Sequence, residues 1–383
     1  MEPAKKYRRL PKMIQKAHLL LLLALLSPFP LQSAEARNAT IPSGVETLLT
    51  AMSDEEKAAQ MILVYFSSPE FVSRHGFGGV LIMQNMVRDL EKLSMRLQLL
   101  QQTSKIGVLV AIDQEGGRVN RLKYLQGWKQ LPSAATMSHW PMKRIEAHSR
   151  RVAGVLKRSG IQLNLAPVLD PARNHRGEET LIGMEQRAFG NNGREIVPVA
   201  SAMVKGYHAN GVLTIAKHFP GYNVANHSDH ETAISNATKE EIAENAEVFR
   251  GMAPLVDGIM MSSIRYRQLD SNPAVLSPRI VGWARTLYPD RLIITDDLWG
   301  VALRRWVAPQ QATEQGYPDR ELLRLVRLAL DAGNDILMIT YPQKAVLMKQ
   351  AIIRWMEKDT RLRDRIDRSV RRILMAKSKA GLL

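Results

Sequence analysis

Apolar runs of strand length recur eight times along this chain, at 60–66, 78–83, 107–112, 161–169, 211–216, 258–262, 291–295 and 334–339. Amphipathic stretches of helical length fill most of the gaps, most clearly at 86–103, 142–159, 194–208, 239–252 and 319–332. This alternation limits the fold more than any other property of the sequence. Two neighbouring strands joined through a helix run parallel, because a parallel crossover needs about a dozen residues or more and usually contains a helix. Eight such units predict an α/β fold of the (β/α)8 TIM barrel type. A doubly wound open sheet is the other arrangement that the pattern allows.

Hydrophobic residues at 45% and charged residues at 23% are ordinary for a folded chain and exclude a disordered one. The net charge of +16 brings nucleic acids, anionic membranes and acidic polymers into view as partners. Aromatic residues at 6% and the lack of a recognisable nucleic-acid motif argue against the first, so a basic surface near an anionic polymer is the simpler expectation. Part of the charge is local: Lys5, Lys6, Arg8, Arg9, Lys12 and Lys16 precede an apolar run at 17–26, and Ala34-Glu35-Ala36 offers a cleavage site. The run is short of the roughly 20 residues that span a bilayer. These features predict a signal peptide at 1–36 and a periplasmic or secreted mature chain, with an uncleaved N-terminal anchor as the alternative. Cysteine is absent, so neither a lipidation site nor a disulfide framework is expected.

Residues 37–383 read as one domain. A helix is expected to enter the fold over 41–59, with Asp54, Glu55 and Glu56 in a first turn behind Ser53. The C-terminal stretch 344–380 reads as two helices broken near Asp359 and Thr360. Its arginines at 361, 363, 365, 368, 371 and 372 alternate with Asp364 and Asp367, as on a solvated face.

In a barrel, residues just past the C-terminal ends of the strands face the active site. Those positions hold Asp113, Asp170, the pair Lys217-His218, and the pair Asp296-Asp297. The stretch KHFPGYNVANHSDH at 217–230 adds His227, Asp229 and His230 on a loop punctuated by Pro220 and Gly221. A metal site built from His218, His227, Asp229 and His230 is one reading of that cluster, since the ligand types suit zinc.

Five segments carry a resemblance: AIDQEGGRVNRL at 111–122, LNLAPVLDP at 163–171, RAFG at 187–190, KHFPG at 217–221 and IITDDL at 293–298. Together they resemble glycoside hydrolase family 3, in particular its single-domain bacterial β-N-acetylglucosaminidases of peptidoglycan recycling. The resemblance implies a retaining exo-glycosidase that removes terminal β-linked N-acetylglucosamine from muropeptides or amino-sugar oligomers. The expected protein is a monomer with no cofactor, no metal, no nucleic-acid partner and no stable membrane insertion once the signal is cleaved. Asp296 matches the family's nucleophile, whose carboxylate forms a covalent glycosyl-enzyme. Asp113, Arg121, Arg187, Lys217 and His218 match positions that hydrogen-bond the sugar, and Asp297 reads as a supporting group or helix cap.

The acid/base position departs from the pattern. The resemblance implies a histidine on a mobile loop within Asp-Ser-His, which places His230 as the acid/base; here Ser228 precedes Asp229, so the order is exchanged. A carboxylate on one imidazole nitrogen fixes the tautomer and raises the basicity of the other. Either the loop bends so that Asp229 still orients His230, or His227 takes its place. Tyr222-Asn223 stands where family members often carry His-Gly, and Ser263 where a histidine often follows the sixth strand. Two further readings follow: phosphorolysis in place of hydrolysis, because a histidine does not repel phosphate as a carboxylate would, and a sugar-binding or regulatory protein that has lost turnover.

Overall fold

The computed structural model describes residues 43–383 except 229, 314 and 315. The signal-peptide expectation lies outside the described residues, and so does Asp229. All eight expected strands form and run parallel: β1 (Ile62–Tyr65), β2 (Gly79–Ile82), β3 (Leu109–Ile112), β4 (Leu163–Asn164), β5 (Leu213–Phe219), β7 (Gly258–Met261), β9 (Leu292–Ile294) and β10 (Leu337–Ile339). β10 pairs with β1, and a parallel bridge from Ile294 to Ile336 brings the last strand against β9 and closes the ring. A small parallel pair, β6 (Ile234–Ser235) with β8 (Arg265–Tyr266), sits in the connections and was not expected from the sequence. Two residues per strand carry too little periodicity to read.

The barrel strands are almost uniformly apolar because both of their faces are covered, by the interior and by the helices. Close approach also demands glycine at one seam. A Cβ at Gly258 would fall 2.4 Å from the Leu292 carbonyl oxygen, so only glycine lets β7 lie against β9 there. One strand limit that matters for the site differs from expectation. β5 continues through Lys217 and His218 to Phe219, and Val168 bridges to Lys217, so the Lys-His pair sits on the strand and not beyond its end.

The helices Met142–Arg158, Gly193–His208, Lys239–Met252 and Asp319–Ala332 lie where the periodicity placed them. The expected entry helix divides into Ser43–Ala51 and Asp54–Gln60, because Ser53 caps the second through a reciprocal pair of bonds with Glu56. The C-terminal helices Pro342–Lys358 and Thr360–Lys379 break at Asp359, whose carboxylate caps Leu362. Their arginines are not simply solvated. Arg372 joins Arg285 on the fully buried Asp335 at 3.1 and 2.6 Å, Arg371 holds Glu46, and Ile366, Val370, Ile373 and Leu374 pack inward. Charge alternation alone does not tell a solvated face from a clamped one. Lys377 on the same helix is fully buried against Gln60, and burial brings its ammonium down to about 7. Among the described residues, no helix is long and apolar enough to cross a membrane.

Candidate active site

The C-terminal rim of the barrel gathers alternating charges. Asp113, just past β3, accepts from Lys217 Nζ at 2.5 Å and from Arg121 at 3.3 Å. Lys217 also reaches Glu115 at 2.6 Å, and Glu115 accepts from Nε and Nη2, one edge of the Arg187 guanidinium, at 2.8 and 2.9 Å. Arg187 touches Glu185 at 3.1 Å, and Arg118 holds the other side of that carboxylate at 2.9 Å. The result is a chain of seven charges of alternating sign, with Lys217 and Glu115 almost completely buried at its centre. Burial opposes charge on Glu115 and Arg187. The cations Lys217 and Arg187 nonetheless hold the Glu115 carboxyl well below its usual range, and Glu115 holds the Arg187 guanidinium above its own.

His218 is fixed from behind. Asp170, fully buried, accepts the His218 backbone N–H at 3.0 Å, its ring Nδ1 at 2.6 Å and the Tyr222 N–H at 2.7 Å. A carboxylate can only accept, so Nδ1 carries the proton and Nε2 is left as the free ring nitrogen. The turn that follows needs glycine: Gly221 has φ +125°, and a Cβ there would lie 2.7 Å from that of Asn245.

Asp296 follows β9 and is half-buried. Its Oδ2 accepts from the Ser263 hydroxyl and its Oδ1 from the Asp297 N–H, both at 2.8 Å. Asp297 turns away to accept from the Trp299 N–H, the Thr340 N–H and the Thr340 hydroxyl. Its supporting reading therefore fits its contacts. Burial nevertheless pushes the Asp297 carboxyl up to about 6.

The loop after KHFPG is held by contacts of its own and by one to the segment after Asp296. The Tyr222 hydroxyl donates to the Asn226 carbonyl at 2.5 Å and accepts the Ser228 N–H, while the Ser228 carbonyl accepts the Ala302 N–H at 3.0 Å. Tyr222, which replaces a histidine of the resembled pattern, is thus the internal staple of this loop. His230 stands exposed at its rim, with its ring 4.6 Å from that of His227. His227 Nε2 lies 3.5 Å from Glu185, which ties this imidazole to the charge chain through Arg187. His218 faces Asp170 and His227 faces Glu185. Among the described residues no three metal-capable side chains converge.

The structure thus brings Asp113, Arg121, Arg187 and Lys217 into one network, sets His218 beside it, and places Asp296 on its own pair of donors. Glu115 and Glu185 were not singled out from the sequence. Glu115 lies inside AIDQEGGRVNRL, but its partners are 72 and 102 positions away, and no local pattern announces them. Asp170 was marked only by its strand-end position.

Residues 53–376 match the model of the glycosyl hydrolase family 3 N-terminal domain. A β-hexosaminidase of Stenotrophomonas maltophilia is 31% identical over 250 residues, covering 61% of this chain and 68% of the relative. A β-hexosaminidase of Tolumonas auensis is 29% identical over 273 residues, covering 68% of this chain and 75% of that one. Among solved structures, the β-N-acetylhexosaminidase of Beutenbergia cavernae superposes with a TM-score of 0.74 at 25% identity, over 85% of this chain and 99% of its own. A closed eight-stranded barrel, the charge chain at its rim and a family match over most of its length agree: the chain belongs to glycosyl hydrolase family 3.

Proposed function

We propose that the protein is a retaining exo-β-N-acetylhexosaminidase acting on terminal N-acetylglucosamine. The observation that carries this reading is the setting of Asp296, a half-buried carboxylate just past β9 that is aimed by the Ser263 hydroxyl and the Asp297 N–H. In the first step an Asp296 oxygen bonds to the anomeric carbon as the glycosidic C–O bond breaks, and His230 gives its proton to the departing oxygen. In the second step His230 takes a proton from water, whose oxygen displaces Asp296 and restores the original configuration. Asp113, Arg121, Arg187, Lys217 and His218 hold the sugar hydroxyl and acetamido oxygens. Asp229 orients the imidazole. Muropeptides outside the cytoplasm are the proposed substrates, supported by the signal-like N-terminus and by the resemblance to enzymes of peptidoglycan recycling.

The contact of His227 with Glu185 favours a second assignment within the same mechanism, in which His227 is the acid/base. Turnover of 4-nitrophenyl β-N-acetylglucosaminide tests the activity, and azide tests the assignment. The variant lacking the acid/base is expected to accumulate the β-glycosyl azide from an activated aryl substrate, because azide needs no general base. His230→Ala should do so and His227→Ala should not; the reverse outcome moves the role to His227. No turnover by the wild type, with N-acetylglucosamine still bound, would leave a sugar-binding protein.

Ser263 is a positioning residue in this scheme. A hydrogen bond to a charged group contributes about 1.5–3 kcal/mol, so Ser263→Ala is expected to lower kcat about 10- to 100-fold with little change in KM. Ser263→Thr, which keeps the hydroxyl, should recover most of the loss. An unchanged kcat would remove Ser263 from the mechanism.

A further inference from the structure

The helix Met142–Arg158 lies on the outside of the barrel and carries Lys143, Arg144, Arg150, Arg151, Lys157 and Arg158, all exposed, against the single acid Glu146. Only Arg150 uses that acid, at 3.1 Å. The other five cations have no carboxylate partner among the described residues. The helix borders a cleft of about 710 Å³ whose lining includes Trp128, Lys143, Arg150, Arg151 and Arg158 as well as Glu146, the acid that Arg150 holds. The half-buried Trp128 ring forms its apolar wall, and the Arg151 guanidinium stands 5.0 Å from that ring. The local field is felt by His148 on the same helix: burial first, and then Arg151 and Arg144, push its imidazole down to about 4.

Concentrated charge of one sign along a concave surface binds a polymer of the opposite sign. We infer that this cleft docks a linear glycan bearing carboxylates, at a site separate from the catalytic rim. A helix of 17 residues is about 25 Å long, so the cations form an extended track and not a point site. Arginine supplies four of the six charges, and its planar fork matches a carboxylate with two parallel hydrogen bonds. Single-stranded nucleic acid uses successive aromatic platforms, whereas here there is one tryptophan. The upper end of the cleft is close in the chain to the catalytic rim, since Asn120, next to Arg121, donates its side-chain amide to the Trp128 carbonyl at 2.8 Å. A docked strand would hold the enzyme on an anionic polymer and leave the catalytic rim open to its own substrates.

The test titrates the full chain with oligogalacturonate of defined length by calorimetry, at low and high salt, beside a neutral chitooligosaccharide, a DNA duplex and phosphatidylglycerol vesicles. The expected result is oligogalacturonate binding that weakens steeply with salt and falls at least about ten-fold in the Arg150→Gln, Arg151→Gln, Arg158→Gln triple variant. Turnover of 4-nitrophenyl β-N-acetylglucosaminide and the melting temperature should stay at wild-type values. Should the triple variant melt early, the Lys143→Gln, Arg158→Gln double variant at the exposed ends makes the same comparison. Absence of wild-type binding at low salt, equal binding by the variants, or tighter binding to the duplex or the vesicles than to the glycan would overturn the inference.

Discussion

Replacing Asp296 by glycine is expected to lower the hydrolysis of 4-nitrophenyl β-N-acetylglucosaminide by about 10³-fold or more, a barrier increase of about 4 kcal/mol or greater. Azide should then restore consumption of the substrate and yield the α-glycosyl azide. The stereochemistry follows from the position of the lost group. Removing the carboxylate opens space on the face of the sugar opposite the leaving group, and a small anion entering there attacks the anomeric carbon with inversion. Ser263 and the Asp297 N–H remain as donors beside that space, suited to hold an anion. The β-azide from this variant would mean that azide entered from the leaving-group side and would place Asp296 in the acid/base role. Full activity without azide would remove Asp296 from the chemistry.

The comparison of sequence with structure separates two kinds of information. The eight strands and the principal helices were legible because each depends on residues close in sequence: buried parallel strands are continuous apolar runs, and surface helices carry a 3.6-residue stripe. The rim positions were legible for a related reason, since a barrel converts the ends of strands into one surface. Asp113, Asp170, Lys217 and Asp296 could be placed there without knowing what they touch. Their partners could not. The bidentate grip of Arg187 on Glu115, the convergence of Arg285 and Arg372 on Asp335, and the approach of His227 to Glu185 join residues from separate connections. Charge spacing along one helix could not tell Arg372, clamped on the buried Asp335 of another segment, from its exposed neighbours Arg361 and Arg368. The substitution of Tyr222 for a histidine reads as a loss in sequence, while in the structure its hydroxyl ties Asn226 to Ser228 and shapes the loop.

Glu115 is expected to be a costly charge to remove from the rim. It stands between Lys217 and Arg187, and with the carboxylate gone two cations face each other in a site that water barely enters. Breaking a buried ion pair by deleting one member costs about 3–5 kcal/mol, because the surviving charge keeps its desolvation penalty and loses its partner. Glu115→Gln keeps the shape and isolates the charge; its melting temperature at neutral pH should fall by several degrees or more. Adding Lys217→Met removes one of the stranded cations. The double variant should therefore recover part of the stability lost in Glu115→Gln, a coupling that independent sites would not show. The pH dependence has a definite sign. The folded-state carboxyl of Glu115 lies below its ordinary value of 4.5, so its contribution is complete above that value and is lost as the pH falls toward the folded-state value. Thermal melts of wild type and Glu115→Gln should accordingly differ most at pH 6–7 and converge on acidification. A gap that stays constant below pH 4.5 would show that the glutamate acts through packing alone, and that Lys217 and Arg187 do not need its charge to stay at the rim.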